Sequence, residues 1–257
     1  MRIGIIYCAY SSEEYVEKSL SPFIEGASGH SFVISAISYP FVGFEKGGNK
    51  KTLDILRKYR DEGKIYLNYG SEEIEEPTAR QIALDQLLEI GVDLIWMVDS
   101  DELYTKQQIH GIIKFVQEEE FVAWFRLSFK NRVFDFDYLE EPFCPPRIFR
   151  IKVSNYQINR FIDDNNLSYR GRLKRDIVPD LALSNMTVPK SVAWIDHYTW
   201  LDTPESKGRT KKKVEYQLKH FGICSYKWDY KENKLEFDEK YYEGKSLPKV
   251  LKDEGDN

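Results

Sequence analysis

The chain has 257 residues, of which 42% are hydrophobic, enough apolar surface for one large α/β domain or two closely joined lobes. Its formal net charge of −5 excludes a general electrostatic attraction to nucleic acid or anionic lipid. No run approaches the ~20 apolar residues of a membrane-spanning helix, and the apolar part of the amino terminus is too short for a signal peptide.

The number and spacing of the cysteines indicate the cellular compartment. Cys8, Cys144 and Cys224 form no CxxC pair or other metal-binding spacing, and their number is odd. This usage is typical of reduced thiols, and it predicts a cytoplasmic protein.

Predicted strands and helices alternate over residues 1–120. Short apolar runs predict buried strands, and apolar residues at helical spacing predict helices that begin at Ser, Thr or Pro and end at Gly. This alternation favours a mostly parallel sheet with helices on both faces. The predicted strands cover 3–9, 31–38, 64–68 and 93–98; the predicted helices start at Ser11 or Ser12 with a break at 22–29, and cover 51–61, 77–90 and 105–119.

The pattern changes after residue 120. Strands are predicted at 121–129, 147–152 and 191–197, with no long helix between the first two, and this favours a mixed second lobe over 121–200. A charged helix is predicted at 204–220, followed by a polar and aromatic tail that completes a separate segment, 201–257.

The most informative stretch is Asp99-Ser100-Asp101, which directly follows the predicted strand at 93–98. Open α/β sheets bind ligands at the carboxyl ends of their strands. Two carboxylates this close repel each other unless a cation lies between them. Because oxygen ligands suit Mg²⁺ or Mn²⁺, the pair predicts a divalent metal site.

Simpler interpretations stand beside this one. Asp99 and Asp101 could cap the helix that follows the strand. Arg80 could be a solvated helix residue, and His197 could be a core histidine whose hydrogen bonds are satisfied within the protein.

Several motifs together resemble a GT-A glycosyltransferase of the family-2-like kind. They are the opening strand Ile3–Tyr10, the Ala79-Arg80-Gln81-Ile82-Ala83-Leu84 helix, the Trp96–Glu102 stretch with its Asp-x-Asp, and the late His197; Pro146–Arg150 also looks like an acceptor-side strand of this group. The resemblance covers residues 1–200. It implies a GT-A-like, Rossmann-type fold in which residues 1–120 bind nucleotide and metal, and 121–200 shape the acceptor site.

The resemblance also implies roles for individual residues. Asp101 would bind the metal directly, Asp99 would reach it through water or contact the ribose, and His197 would complete the metal shell or bind a phosphate. Arg80 would pair with a phosphate. The end of the first strand, at Tyr7 and Ala9, would touch the nucleotide.

The resemblance leaves the nucleotide base and the catalytic base open. The resemblance implies a UDP- or GDP-linked sugar as donor. The second strand ends at Ser38, where many relatives carry an Asp that reads uracil, so the sequence leaves the base open. An inverting reaction needs a base to deprotonate the acceptor hydroxyl. Asp176, which follows a Gly-containing turn, is the first candidate. Other acids in the second half are Glu140, Glu141, Asp163 and Asp164.

The expected activity is therefore transfer of a sugar from a nucleoside diphosphate sugar to a hydroxyl acceptor. One alternative is a nucleotidyltransferase that makes sugar nucleotides, although Tyr10–Glu14 lacks the glycine-rich basic loop expected there. Another is a degenerate fold that binds nucleotide or sugar without turnover. A phosphatase of the haloacid dehalogenase type is disfavoured. Such enzymes carry their Asp-x-Asp near the amino terminus, whereas Asp99 and Asp101 lie in the middle of this chain.

Overall fold

The computed structural model of the chain forms two compact units, Met1–Ser128 with Cys144–Ile195 (unit 1) and Phe129–Phe143 with Asp196–Asn257 (unit 2). It describes residues 1–26, 29–40, 49–74, 76–134, 137–139, 144–153, 156–157, 167–168, 172–173, 185–198, 211, 214–215, 218–219, 222, 224, 226–244 and 249–252.

The elements follow in chain order, and most of the regular structure lies in the first half. They are β1 (Ile3–Cys8), α1 (Val16–Ile24), β2 (Phe32–Ser38), α2 (Lys50–Asp61), β3 (Tyr66–Tyr69), α3 (Glu76–Ile90), β4 (Leu94–Asp99), β5 (Glu102–Leu103), α4 (Lys106–Glu118), β6 (Trp124–Arg126), β7 (Ser128–Phe134), β8 (Asp137–Leu139), β9 (Pro146–Arg150), β10 (Lys152–Val153), β11 (Tyr156–Gln157), β12 (Leu167–Ser168), β13 (Arg172–Leu173), β14 (Asn185–Thr187), β15 (Trp194–His197), β16 (Tyr226–Asp229), β17 (Lys234–Phe237) and β18 (Val250–Lys252).

A seven-stranded sheet organises unit 1, with strand order β14-β6-β9-β4-β1-β2-β3. Strands β4, β1, β2 and β3 are parallel, and β9 runs antiparallel to both β4 and β6. The predicted mostly parallel sheet is therefore confirmed. The chain leaves β1 toward β2 and later returns to pair β4 on the other side of β1, so the strand order reverses between β1 and β4.

Both faces of this sheet are covered, which explains why β1 and β4 are apolar without alternation. On one face, Phe23 of α1 meets Trp96 edge-to-face with ring centroids 5.3 Å apart. On the other face, α3 contributes Ala79, Ala83 and Leu87 to a core with Ile6 of β1 and Met97 of β4. Helices therefore pack on both faces, as predicted.

Gly4 of β1 lets α3 pack closely on the strand. A Cβ atom there would lie 3.1 Å from Leu87 Cδ1 and 3.1 Å from Val92 Cγ2, closer than ordinary van der Waals contact. Gly91 follows α3 with φ +77°, a conformation in which glycine ends helices readily.

The helix α4 begins where the sequence predicts. Thr105 Oγ1 accepts from the Gln108 backbone N–H at 3.1 Å, and Gln108 Oε1 accepts from the Thr105 N–H at 2.8 Å. This capping box satisfies two backbone groups that a helix start leaves unpaired. Within the described ranges, no helix is both long and apolar enough to cross a membrane.

Helix α1 differs from its prediction at both ends. Ser11 and Ser12 do not cap it: Ser11 has φ +48°, and the Ser12 N–H donates to Thr52 Oγ1 of α2 at 2.9 Å. The predicted break at Pro22 is also wrong, because Pro22 lies inside the helix. Burial of Leu20 and Phe23 against the sheet holds the helical turn around it.

The predicted strand at 121–129 is two strands. Trp124 and Phe125 in β6 pair with β9, whereas Arg132 and Phe134 in β7 pair with β8. One predicted strand therefore contributes to two different sheets, which hydrophobicity alone does not distinguish.

The predicted polar tail contains regular structure. In unit 2, β16 and β17 form an antiparallel hairpin that buries Tyr226, Trp228 and Leu235 together with Val214 and Cys224. Of the helix predicted at 204–220, residues 211, 214–215 and 218–219 are helical, and the others lie outside the described residues. This core stabilises the hairpin over 226–237, which the sequence reasoning did not predict.

The packing of α3 generates a stability prediction. Leu87→Ala is expected to lower the free energy of unfolding by about 2–5 kcal/mol, because Leu87 is fully buried and its removal leaves a cavity. Leu88→Ala, the matched control, is expected to cost clearly less, since Leu88 is only partly buried. Urea denaturation measures both; equal losses would contradict the packing of this helix face.

Candidate functional site

The candidate site lies where the strand order reverses, at the carboxyl ends of β1 and β4. Cys8 and Asp99 are the last residues of these strands and pair in register. The Ser100 N–H then donates to the Cys8 carbonyl at 2.9 Å, which ties the start of the following turn to β1. Parallel α/β sheets bind their ligands at this kind of switch point.

Two arginines hold Asp99. Arg80 Nη2, from α3, donates to Asp99 Oδ1 at 2.7 Å, and Arg147 Nη2, from β9, donates to Asp99 Oδ2 at 3.0 Å. Both arginine side chains are buried, at 2% and 5% exposed, and Asp99 is 24% exposed. The sequence predicted a positive charge beside Asp99, and two guanidinium groups provide one.

Arg147 also binds Glu102, the residue after Asp101. Arg147 Nε donates to Glu102 Oε1 at 2.8 Å, Arg147 Nη2 donates to the same oxygen, and the Tyr104 hydroxyl donates to Glu102 Oε2 at 2.9 Å. Burial raises the pKa of Glu102 to about 8, although Arg147 opposes that shift. Burial alone would lower the pKa of the Arg147 guanidinium, but Glu102 and Asp99 raise it above its usual value.

These contacts decide two of the simpler interpretations. Arg80 is not a solvated helix residue, because it is buried and also donates to Met97 Sδ at 3.7 Å. Asp99 and Asp101 do not cap the next helix, since Thr105 does so. Asp101 lies in the turn between β4 and β5 and is partly buried.

The end of β1 is buried at both predicted contact residues. The Tyr7 side chain is fully buried and its hydroxyl bonds to Ser19 Oγ of α1; burial raises its pKa well above the usual value. Ala9 is 2% exposed and donates its N–H to the Ile37 carbonyl at 3.0 Å. The Tyr7 side chain therefore faces the protein interior.

A polar network joins the ends of β1 and β2 to the start of α2, and the sequence reasoning missed it. Asn49 Oδ1 accepts from the Ser11 N–H at 3.0 Å, and Asn49 Nδ2 donates to Ser38 Oγ at 2.8 Å. Thr52 Oγ1 binds both the Ser12 N–H and Glu13 Oε2. Ser11 and Ser12, shortly after the first predicted strand, and Asn49 and Thr52, around the start of the helix predicted at 51–61, were the available signal.

The other predicted site residues lie elsewhere in the chain. His197 belongs to unit 2, where its Nδ1 bonds to Asn131 Oδ1 at 2.7 Å and its ring packs edge-on against Phe129. Asp176 lies outside the described residues. Within the described part of the chain, no cluster of three or more His, Cys, Asp and Glu side chains could hold a metal ion.

No protein-family model matches this sequence, and no curated protein matches it. Solved structures do match. S. aureus TarS superposes with TM-score 0.52 and 15% identity over 87% of this chain, and a TarS 1–349 structure in complex with UDP with TM-score 0.52 and 16% identity over 85%. Mannosyltransferase PcManGT from Pyrobaculum calidifontis, in complex with GDP-Man and Mn²⁺, gives TM-score 0.53 and 10% identity over 86%.

The chain spans only part of these proteins: 44% of the TarS chain, 66% of TarS 1–349 and 63% of the mannosyltransferase chain. At this level of identity, what they share with it is the fold. The chain has the mixed α/β GT-A fold of glycosyltransferases, with a mostly parallel central sheet. The resemblance seen in the sequence is thereby confirmed.

The buried Glu102 generates a pH prediction. Unfolded Glu102 loses its proton near its ordinary pKa of ~4.3, whereas the folded state keeps the proton up to about 8. The stability that this proton provides is therefore lost as pH rises between those values. In metal-free buffer, the free energy of unfolding of the wild type should fall relative to that of Glu102→Gln from pH 5 to pH ~9. Urea denaturation across this range measures the difference; a difference that is constant, or that shifts in favour of the wild type, would contradict it.

Proposed function

We propose that this chain transfers a sugar from a nucleoside diphosphate sugar to a hydroxyl acceptor with the help of a divalent metal. One observation carries the proposal: the Asp99-Ser100-Asp101 turn stands at the carboxyl ends of β4 and β1, at the switch point, and two buried arginines hold it there. Ligand sites in such sheets lie at the switch point, and their binding groups must be held in position by surrounding residues, as Asp99 is here.

The solved structures with this fold support the donor class. One TarS structure contains UDP, and the mannosyltransferase structure contains GDP-Man and Mn²⁺. The donor proposed here is accordingly a UDP- or GDP-linked sugar. The proposed acceptor is a hydroxyl group. Because this chain spans only part of those proteins, their acceptors are not carried over to it.

The residues of the turn fit a divalent metal. Mg²⁺ and similar ions are commonly held by one or two carboxylates together with water and substrate phosphates, so Asp101 can serve without a full set of protein ligands. The bound metal would neutralise the charge that develops on the diphosphate leaving group. Asp99 is proposed to act indirectly, through water or the ribose, because Arg80 and Arg147 already bind its two oxygens.

The contacts of Arg80 suggest a revised role. Its guanidinium is buried and directed at Asp99, which supports orientation of that carboxylate rather than the predicted phosphate contact. Tyr7 and Ala9 are proposed to meet the nucleotide through their backbone, since the Tyr7 side chain is directed at Ser19.

The remaining assignments are proposals from the sequence. His197 is proposed as a metal or phosphate ligand; its Nδ1 bonds to the Asn131 amide oxygen, and metal-binding histidines typically form such a bond through the ring nitrogen that does not bind the metal. Asp176 is proposed as the catalytic base of an inverting reaction. The acceptor region is proposed within 121–200, and the protein in the cytoplasm.

Nucleotide binding tests the proposal. Calorimetric titration with UDP and GDP, each with Mn²⁺ or EDTA, is expected to show metal-dependent binding of at least one of them. Asp101→Asn should weaken this binding by more than about ten-fold, since the substitution removes the metal-binding charge. The matched control is Asp93→Asn, directly before the start of β4, where Asp93 Oδ2 accepts the Arg2 N–H at 2.7 Å; binding should be unchanged.

Turnover separates the alternatives. Release of a nucleoside diphosphate from the sugar nucleotide, dependent on Mn²⁺ and Asp101, is the expected result. Consumption of the sugar nucleotide only when pyrophosphate is added would indicate a nucleotidyltransferase instead. Metal-dependent binding with no turnover on any acceptor would indicate a degenerate fold, and absence of nucleotide binding would contradict the proposal.

A further inference from the structure

The pairing of β9 with β6 shifts by one residue at Arg147, as at a β-bulge. In the pairing with β6, Phe125 lies opposite Ile148 and Arg126 lies opposite Pro146, so Arg147 is the extra residue of β9. A bulge of this kind redirects a side chain, and bulges are common next to active sites. Here it turns the Arg147 guanidinium toward the end of β4.

The redirected guanidinium spans the turn. It binds Asp99 at the start of the turn and Glu102 directly after it, with Nη2 reaching both carboxyl groups. Glu102 is fully buried and is also held by Tyr104. Ser100 and Asp101 therefore lie in the chain between Asp99 and Glu102, which Arg147 holds together.

Lysine could not replace Arg147 in this arrangement. The planar guanidinium donates from Nε and Nη2 in fixed directions, whereas an ammonium group is a single point charge on a flexible stem. Lysine would keep the positive charge but could not hold both carboxyl groups at these angles.

We infer that Arg147 is a positioning residue, which fixes the Asp99–Asp101 turn for donor binding by bridging Asp99 and Glu102. Its importance for donor binding rests on the proposed function, whereas its hold on the turn does not. Residues that orient metal ligands from outside the coordination shell typically change metal affinity or activity by 10–100-fold when substituted.

The test compares Arg147→Lys with Arg150→Lys, the same substitution on the same strand. Arg150 pairs with Leu94, at the start of β4 and away from the turn, and donates to the carbonyls of Val116, Glu119 and Val122. Amide hydrogen exchange at Ser100, whose N–H donates to the Cys8 carbonyl, reports the turn without any nucleotide. Arg147→Lys should speed this exchange on the order of ten-fold, and Arg150→Lys should leave it unchanged.

A second measurement addresses donor binding. Arg147→Lys should raise the half-saturating Mn²⁺ concentration about 10–100-fold at a fixed nucleotide concentration, whereas Arg150→Lys should leave it unchanged. If Arg147 had a merely structural role, Arg147→Lys would lower the melting temperature and leave the Mn²⁺ dependence unchanged, which would contradict the inference. Wild-type exchange at Ser100 together with wild-type Mn²⁺ dependence in folded Arg147→Lys would overturn the inference.

The two possible failures are distinguishable. If the wild type binds no nucleotide, the proposed function fails, and Ser100 exchange still decides whether Arg147 fixes the turn. If Arg147→Lys does not fold, Glu102→Ala takes its place, because it removes the carboxyl group that anchors the guanidinium. Faster Ser100 exchange in that variant supports the inference, and unchanged exchange overturns it.

Discussion

The candidate site depends on hydrogen bonds between two buried guanidinium groups and the carboxyl groups that follow β4. Arg80 and Arg147 come from a helix and from an antiparallel strand, and they meet at Asp99. Burying such groups costs free energy unless each is paired, so these contacts serve geometry more than stability. Removing Arg80 would take away the guanidinium bound to Asp99 Oδ1, and removing Arg147 would take away the one bound to Asp99 Oδ2 and to Glu102, so each arginine restricts the turn.

The sheet topology brings these groups together. Because β4 pairs with β1 on the side opposite β2, the ends of β1 and β4 stand at the point where the strand order reverses. Strand β9 runs antiparallel against β4, and this direction brings its first residues, Arg147 among them, to the carboxyl end of β4. A parallel strand in that place would present its carboxyl end there instead. The antiparallel direction of β9 therefore places Arg147 next to the charged turn.

The sequence predicted the framework well and the electrostatics poorly. Apolar runs correctly predicted β1 and β4, and helical spacing correctly predicted α3. Asp99 was also placed correctly at the end of its strand. The partners of Asp99 were not predictable in the same way, because they come from residues 80 and 147, and side-chain partners distant in sequence leave no local pattern. The bulge that directs Arg147 and the positive φ of Ser11 are likewise tertiary features. In the hairpin of unit 2 a local signal existed: buried Tyr226 and Trp228 alternate with Lys227 and Asp229, as in a half-buried strand.

The most direct test of the central claim is a crystal structure with a nucleoside diphosphate and Mn²⁺, with the metal located by its anomalous scattering. The account predicts Mn²⁺ bound to the Asp101 carboxylate and to the diphosphate, with Asp99 still bonded to Arg80 and Arg147. Mn²⁺ bound directly by Asp99 with an arginine displaced, or a nucleotide located away from the ends of β1 and β4, would contradict it.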